Sequence, residues 1–219
     1  NQMWVMRNGL YTRIMRNRPQ GTMALLEDIA VPMEKLGGVC TDLQELFDKH
    51  HYDGAVIFGH VKYGNIHFLV TEDFAGEESL NRYDQFTEDM VDLVLREQGT
   101  LKAEHGTGRI MSPFVQRQYG DDLYQAMVDV KDACDPNRIL NPGTIITDDP
   151  QLHLKYIKPT ETVRDIIDDC VECGYCEPVC PSQHLTTTPR QRIVIQRAIA
   201  ACEASGAYDL AERLKAQEV

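Results

Sequence analysis

The chain has 219 residues, of which 42% are hydrophobic, so its composition excludes a wholly disordered protein and allows one ordinary domain with a small appendage. Its formal net charge of −12 argues against a nucleic-acid partner, because phosphate binding requires a basic surface. No apolar run approaches the roughly eighteen residues of a transmembrane segment and no signal-peptide pattern is visible, so we expect a cytoplasmic protein, with peripheral membrane association left open.

The first fifty residues predict a helix, a strand and a second helix. Apolar residues interspersed with arginines indicate a helix from Trp4 to Met15. Residues 22–31 have the composition of a strand, with an expected buried centre at 23–26. Pro32 then begins a helix as a proline of its first turn, and apolar side chains recur at helical spacing until the turn at 50–54.

A β-hairpin is predicted over residues 55–70. Two β-rich runs flank the turn-like segment 62–65. If the turn is centred directly after Tyr63, His60 lies opposite His67 with Cβ atoms roughly 4.5–5.5 Å apart, a separation that suits chelation by two imidazoles. The other face of the hairpin is then apolar and suited to packing on helices. That face carries Ile57, Val61, Ile66, Phe68 and Val70.

Helices and a glycine-containing loop follow the hairpin. Apolar periodicity predicts helices over 77–98 and 121–134, and Pro113 begins a short helix between them. Residues 101–103 are expected to form a short strand that leads into the loop 104–109. The apolar stripe expected to face inward from the later helix consists of Leu123, Met127, Val130 and Cys134.

The loop contains two adjacent groups suited to metal and proton chemistry. Glu104 and His105 precede glycines that allow the backbone to approach a ligand closely. Together with His60 and His67, Glu104 would form a His₂Glu set, which with an open position is typical of catalytic rather than structural metal sites. Histidines on the polar face of a hairpin are also common without a metal, so structural histidines stay an alternative.

Four cysteines, Cys170, Cys173, Cys176 and Cys180, precede Pro181 with the spacing of bacterial ferredoxins. Zinc ribbons use two C-x-x-C pairs that lie further apart, and the composition is not that of a secreted disulfide scaffold. The spacing therefore favours a 4Fe-4S cluster. In two-cluster ferredoxins the fourth cysteine ligates the other cluster, so we expect a second run to follow in a longer natural protein and this chain, as a fragment, to hold no complete cluster.

Helix signals after the cysteine run indicate an α-helical type of ferredoxin segment. Thr188, Pro189 and Gln191 form an N-cap, a first-turn proline and the partner residue of a capping box. The helix is expected to continue to about Cys202, and Gly206 separates it from a last amphipathic helix.

Three ordered motifs between residues 59 and 143 are shared with one enzyme family. Residues 59–67 resemble H-x-G-D-G-N-x-H, residues 104–108 resemble E-H-G-[IT]-G, and residues 135–143 resemble D-P-x-x-x-L-N-P-G. These motifs are similar to those of the FAD-linked D-2-hydroxyacid dehydrogenases, which include D-lactate dehydrogenase, the glycolate oxidase flavin subunit and D-2-hydroxyglutarate dehydrogenase. With the cysteine run, the chain resembles large bacterial members fused to iron–sulfur domains.

The resemblance implies an α+β fold with an antiparallel sheet and flanking helices. Residues 1–149 would be the FAD-linked oxidase C-terminal (substrate or cap) domain, 150–164 a linker, and 165–219 an incomplete α-helical ferredoxin-like 4Fe-4S domain. FAD would be bound mainly by a domain that precedes Asn1, so we expect the isolated chain to be inactive. Electrons would leave through downstream iron–sulfur domains to an acceptor.

The resemblance also implies roles for five side chains. His60, His67 and Glu104 would hold a divalent metal, zinc or manganese, that grips the hydroxyl and carboxylate of a small 2-hydroxyacid. His105 would bind the substrate and take its hydroxyl proton as general base. Arg7 would clamp the substrate carboxylate, although a solvated helix arginine is the alternative.

Some positions depart from the family pattern and leave the choice of 2-hydroxyacid open. Lys62 and Tyr63 replace Gly-Asp in the hairpin, and Lys62 adds charge near the site. Tyr11 and Leu26 stand where the family has a hydroxyl and a lysine, and Leu69 replaces an asparagine. Two other readings stay open: a non-catalytic iron–sulfur electron-transfer or docking module, and a protein that binds zinc at both the cysteines and the histidines.

Overall fold

The computed structural model describes Gly9 and residues 12–74, 76–157 and 161–216. Its backbone contacts divide the chain into two compact units. One unit spans residues 25–158, and the other combines the described residues of 1–24 and 159–219. No helix within the described ranges is long and apolar enough to cross a membrane.

A three-stranded sheet forms the centre of the larger unit, and the α+β class predicted from the sequence is confirmed. Strand β1 spans Met23–Ala30, β2 spans Val56–His60 and β3 spans Asn65–Glu72, in the spatial order β1-β3-β2. The central strand β3 runs antiparallel to β2 and is buried along almost its whole length. Side chains of β3 therefore point either into the core or to the opposite face of the sheet, which carries the histidines.

Two long helices cover the apolar face of the sheet. Helix α1 spans Leu36–Lys49 and α2 spans Glu77–Arg96. Phe47 of α1 lies 5.6 Å from Phe68 of β3 and 5.8 Å from Phe86 of α2, measured between ring centroids. These aromatic rings join helices and sheet into one core, which includes the predicted hairpin residues Ile66, Phe68 and Val70.

Short helices and the second unit complete the described structure. The capping box predicted at Thr188 is present, because its hydroxyl accepts the Gln191 N–H and the Gln191 side chain accepts the Thr188 N–H. The remaining helices are α3 (Val115–Tyr119), α4 (Asp121–Cys134), α5 (Asp165–Asp168), α6 (Pro189–Ala204) and α7 (Tyr208–Lys215). Single 3₁₀ turns cover Met33–Lys35, Val61–Tyr63, Ser112–Phe114 and Leu152–Leu154.

The register of the hairpin differs from the prediction by two residues. Phe58 lies opposite His67, and His60 lies opposite Asn65. The turn has the expected four residues but lies one position earlier, at 61–64, because residues 61–63 form a 3₁₀ turn that ends on Gly64 in the left-handed conformation. Residues two apart on a strand share a face, so the two histidines are diagonal neighbours instead of a directly opposed pair.

Three further expectations about burial and strands were wrong. Val61 is exposed in the turn and does not pack on the core. The buried centre of β1 is Glu27, Asp28 and Ile29 instead of residues 23–26. Residues 101–103 form no strand, and the β-bridge here joins Thr100 to Ala30. The Leu101 N–H donates to the Gln118 side chain, and the Ala103 N–H donates to Asp28.

Helix α4 has the predicted bounds but not the predicted orientation. Leu123, Val130 and Cys134 are exposed, and no residue of α4 is fully buried. Its amphipathic pattern anticipated a covering layer that the described part of the chain does not provide. Within the predicted linker 150–164, Leu152–Leu154 folds as a 3₁₀ turn with Leu152 and His153 buried, and His153 Nε2 lies 2.7 Å from Asp84.

We expect Gly64→Ala to destabilise the chain by more than the roughly 1–3 kcal/mol that a left-handed non-glycine residue costs. Gly64 has φ of +65°, and an added Cβ would overlap the carbonyl oxygen of Val31. Gly54→Ala is the matched control, because a Cβ there meets no atom within 4 Å. Urea unfolding followed by circular dichroism measures both; equal midpoints for the two variants would contradict the prediction.

Candidate metal centre

Three side chains from separate parts of the sequence converge on one face of the sheet. Glu104 Oε1 lies 3.1 Å from His60 Nε2 and 2.8 Å from His67 Nε2. The three ligand atoms lie within 4.8 Å of one another. The structure therefore brings together the three residues that the sequence analysis proposed as metal ligands.

Strand geometry places the two histidines, and the loop places the carboxylate. His60 ends β2 and His67 lies in β3, on the same face one step apart along the diagonal. Their ring centroids are 5.2 Å apart and nearly perpendicular, so both Nε2 atoms can point at one position. Glu104 reaches the same position from the loop after Thr100, and its side chain is 49% exposed, which leaves one side of the group open to solvent.

A buried carboxylate that sequence reasoning missed holds this loop. Asp28 is fully buried in β1 and accepts hydrogen bonds from the backbone N–H groups of Ala103, Glu104 and His105, at 3.1, 2.6 and 2.8 Å. The Asn65 side chain donates to its other oxygen at 2.7 Å. A signal was present in the sequence, since two adjacent acidic residues inside an apolar strand are unusual.

His105 lies against the ligand group without belonging to it. Its ring stacks on that of His67 with centroids 4.7 Å apart and an interplanar angle of 10°. Its Nε2 is 3.8 Å from Glu104 Oε1, and the side chain is 37% exposed. The structure thus places a third imidazole beside the three converging side chains, on the open side where a small molecule can approach.

The surroundings of His67 and Asp28 favour a neutral imidazole and an ionised carboxylate. Burial is the largest influence on His67 and lowers its pKa, although the nearby Asp28 charge acts in the opposite direction. Burial alone would raise the pKa of Asp28, but the N–H donors of His105, Glu104 and Asn65 outweigh it and hold the pKa below its usual value. A neutral ring is the form that ligates metals.

A buried ion pair between Lys102 and Glu27 stabilises the start of the loop. Lys102 donates to the Glu27 carboxylate, and both side chains are largely buried. Because Glu27 and Asp28 are adjacent in β1, one strand anchors both Lys102 and the backbone of the next three residues. The loop is therefore fixed by charge-assisted hydrogen bonds before any ligand binds.

The donor set fits a divalent metal. Ligand atoms around zinc, each at about 2.0–2.2 Å from the ion, are separated by roughly 3 Å, which is close to the spacing seen here. Two imidazole nitrogens and one carboxylate oxygen suit zinc or manganese. The exposed side of Glu104 leaves room for substrate or water as a further ligand.

The cysteine run lies in the smaller unit as free thiols. Gly174 has φ of +79°, which allows the tight loop between the second and third cysteines. The Glu172 N–H donates to Cys170 Sγ at 3.4 Å, and a hydrogen bond with Ser182 lowers the pKa of Cys180. Thiolate-stabilising donors of this kind fit cysteines that ligate an iron–sulfur cluster.

Two arginines hold the backbone at the start of this run. Arg197 donates to the carbonyl oxygens of Ile167 and Cys170 and to the Glu172 carboxylate, at 3.1, 2.9 and 2.9 Å. Arg18 reaches the same Cys170 carbonyl oxygen at 3.4 Å. No motif in the sequence indicated this contribution of Arg18 and Arg197.

The proposed substrate arginine cannot be placed in this site. Arg7 lies outside the described residues. The same holds for the departing position Tyr11 and, except for Gly9, for the predicted helix before residue 12. Lys62 is exposed in the turn, with its ammonium group 5.2 Å from the Tyr63 ring centroid. Leu69, which replaces a family asparagine, is buried in β3.

Comparison with known proteins identifies the family of this chain. Residues 1–145 match the family model of FAD linked oxidases, C-terminal domain, and the chain belongs to that family. The FAD-linked D-2-hydroxyacid dehydrogenase resemblance drawn from the motifs is thereby confirmed, whereas fusion to a ferredoxin segment stays a prediction.

Individual relatives point in the same direction. The chain is 29% identical over 126 residues to the glycolate oxidase subunit GlcD of Bacillus subtilis, covering 57% of this chain and 26% of that protein. It is 28% identical over 195 residues to the D-2-hydroxyglutarate dehydrogenase of Escherichia coli, covering 78% and 19%. A probable mitochondrial D-lactate dehydrogenase of Danio rerio is 27% identical over 146 residues, covering 67% and 29%. The chain thus spans less than a third of each of these relatives.

Proposed function

We propose that this chain is the substrate-binding part of a flavin-dependent dehydrogenase that oxidises a D-2-hydroxyacid to the 2-oxoacid. The substrate would be of the lactate, glycolate or 2-hydroxyglutarate type. The observation that carries the proposal is the convergence of His60, His67 and Glu104 beside His105 in a chain of this family. The alternative, a non-catalytic electron-transfer or docking module with structural histidines, would not require one carboxylate oxygen close to the Nε2 atoms of both histidines.

The residues divide into a binding set and a proton acceptor. His60, His67 and Glu104 would hold zinc or manganese, which when bound supplies Lewis acidity that lowers the pKa of the substrate hydroxyl. His105 presents a partly exposed imidazole next to this set, and its role is to accept the hydroxyl proton. Arg7, assigned only through the resemblance, would bind the substrate carboxylate with two hydrogen bonds.

Oxidation of a 2-hydroxyacid to the 2-oxoacid removes a proton from the hydroxyl group and a hydride, which carries two electrons, from the adjacent carbon. The proton goes to His105, and FAD, held mainly by a domain outside this chain, supplies the hydride acceptor. Cys170, Cys173, Cys176 and Cys180 would hold a 4Fe-4S cluster, which supplies one-electron transfer to downstream acceptors. We retain the division into 1–149, 150–164 and 165–219, a cytoplasmic location and the option of peripheral membrane contact as parts of this proposal.

Metal analysis of the 219-residue chain tests the proposal against its two rivals. We expect one equivalent of zinc or manganese that is lost in the double variant His60→Ala, Glu104→Ala. We also expect iron, in less than the amount of a complete cluster per chain, that is retained in that variant but lost in Cys173→Ser, Cys176→Ser. His51→Asn is the control for surface histidine loss and should keep both metals.

Each rival predicts a different metal content. Zinc lost from both variants would favour a protein that binds zinc at both sites. Iron without a divalent metal at the histidines would favour a non-catalytic electron-transfer or docking module. Either result would refute the dehydrogenase assignment of His60, His67 and Glu104.

A further inference from the structure

We propose that Asp28 is the positioning residue of this site, a buried carboxylate that sets the tautomer of His67 and orients His105. The inference rests on the proposed function, since it concerns how this site is prepared for a metal and a proton. Neither the sequence motifs nor the proposed ligand set includes Asp28. It lies in β1, about seventy-five positions before the loop that it contacts.

Asp28 anchors the loop through a concentrated set of donors. Three consecutive backbone N–H groups, of residues 103, 104 and 105, point at one oxygen, Oδ2. Asn65 donates to Oδ1 and thereby fixes the rotation of the carboxylate. A carboxylate held by four donors and fully buried keeps one orientation, so the atoms around it are fixed as well.

The same carboxylate lies at one edge of both stacked imidazoles. Asp28 Oδ1 is 3.4 Å from Nδ1 of His67, and Oδ2 is 4.0 Å from Nδ1 of His105. At the opposite edges, the Nε2 atoms of the two rings lie 2.8 and 3.8 Å from Glu104 Oε1. One acid therefore lies at the Nδ1 edge of each ring and another at the Nε2 edge.

This arrangement favours one protonation site on the neutral His67 ring. A metal-ligating nitrogen needs its lone pair, so the ring proton must be on the other nitrogen. Nδ1 of His67 is buried and makes no hydrogen bond with the described residues, and the carboxylate beside it is that of Asp28, whose Oδ1 lies 3.4 Å away. Glu104 Oε1 lies nearer to Nε2, at 2.8 Å, but its side chain is half exposed and its charge is screened by solvent. Asp28 is fully buried, so its charge acts on Nδ1 with less screening and favours the proton there.

Substitution by asparagine separates positioning from folding. In Asp28→Asn the amide oxygen can still accept the three loop N–H groups. The amide NH₂ then occupies the Oδ1 position and faces Nδ1 of His67 as a donor. Asn65 can rotate to offer its own oxygen, which has no partner among the described residues. The variant therefore keeps the loop but favours the wrong tautomer.

The first measurement is zinc affinity of the 219-residue chain, determined by competition with a chromogenic chelator. We expect Asp28→Asn to weaken binding by about 10–100-fold, the usual effect of losing such a partner. The matched control is Asp135→Asn, because Asp135 is also a buried carboxylate that accepts loop N–H groups, from Ile139 and Leu140. That variant should bind zinc as the wild type does.

The second measurement is the tautomer itself, read from long-range ¹H–¹⁵N spectra of the metal-free chain above pH 8. We expect the His67 proton on Nδ1 in the wild type and on Nε2 in Asp28→Asn, a change that a purely structural role would not produce. If Asp28→Asn does not fold, the wild-type spectrum still decides, since an Nε2 proton there overturns the proposal.

The two proposals fail in different ways. Absence of zinc binding by the wild type refutes the metal site, while the tautomer comparison continues to test Asp28. Normal zinc affinity with an unchanged tautomer in Asp28→Asn refutes the positioning role. A second zinc equivalent that disappears from Asp28→Asn would also refute it, because Asp28, His67 and His105 would then be ligands of their own ion.

Discussion

Replacement of His105 by alanine is expected to lower kcat of the flavin-loaded enzyme by about 10²–10⁴-fold, the usual loss when a general base is removed. The imidazole lies 3.8 Å from the ligand carboxylate but is not one of the three converging donors. The Asp28 contact to residue 105 uses the backbone N–H, which alanine retains. Loop geometry, metal content and flavin content should therefore stay at wild-type values.

The measurement is turnover of a D-2-hydroxyacid with an artificial electron acceptor, accompanied by metal and flavin analysis of the same sample. His51→Asn serves as the control, because His51 is exposed after α1 and asparagine tolerates its positive φ. Unchanged turnover in His105→Ala would refute its role as base. Loss of the metal together with activity would instead make His105 a ligand.

The strands of the hairpin and the shared face of its histidines were predictable from the sequence, but its register was not. Alternating apolar residues and a glycine turn predicted two paired strands, and the parity of the pattern placed His60 and His67 on one face despite the incorrect register. Parity survives a shift of two residues because each strand has a period of two. The shift itself depended on Gly64, whose turn geometry is set by close packing against Val31, a contact that sequence spacing does not reveal.

The burial of Asp28 was not predicted from the sequence. The strand was predicted, but burial was assigned to its apolar first half, because acidic residues are rarely buried without partners. The partners are the backbone N–H groups of residues 103–105, which have no side-chain signature at all. The adjacent acidic residues in the strand were a signal, but the distant backbone partners of Asp28 could be found only from the three-dimensional structure.

Helix α4 presents the opposite case, in which a correct pattern was given the wrong consequence. Its apolar residues recur at helical spacing, and the helix forms with the predicted bounds. Periodicity reports which residues share a face and not what covers that face. Leu123 and Val130 are consequently exposed in the described part of the chain.

A buried ion pair at the far end of β3 is expected to have a large effect on stability. Glu72 is almost fully buried and accepts two hydrogen bonds from Arg82, at 2.6 and 2.8 Å, and one from the Tyr52 hydroxyl at 3.0 Å. Burial, followed by the Glu72 charge, raises the pKa of Tyr52, so its hydroxyl remains a donor. Glu72 thus links β3 to α2 and to the turn after α1.

Glu72→Ala is expected to destabilise the chain by about 3 kcal/mol, the lower end of the range for breaking a buried ion pair, because Arg82 keeps partial access to water. Asp42→Ala is the control: it removes the partner of Arg96 in an exposed pair and should cost less than about 1 kcal/mol. Guanidinium unfolding followed by circular dichroism compares the two variants.

Zinc affinity separates this effect from damage to the metal site. Glu72 is five positions from His67 along β3 and therefore points to the opposite face of the sheet. Under conditions where Glu72→Ala is still folded, it should bind zinc as tightly as the wild type. A variant as stable as Asp42→Ala would show that water replaces the lost carboxylate, and a variant that is folded but unable to bind zinc would show that the two faces of β3 are coupled.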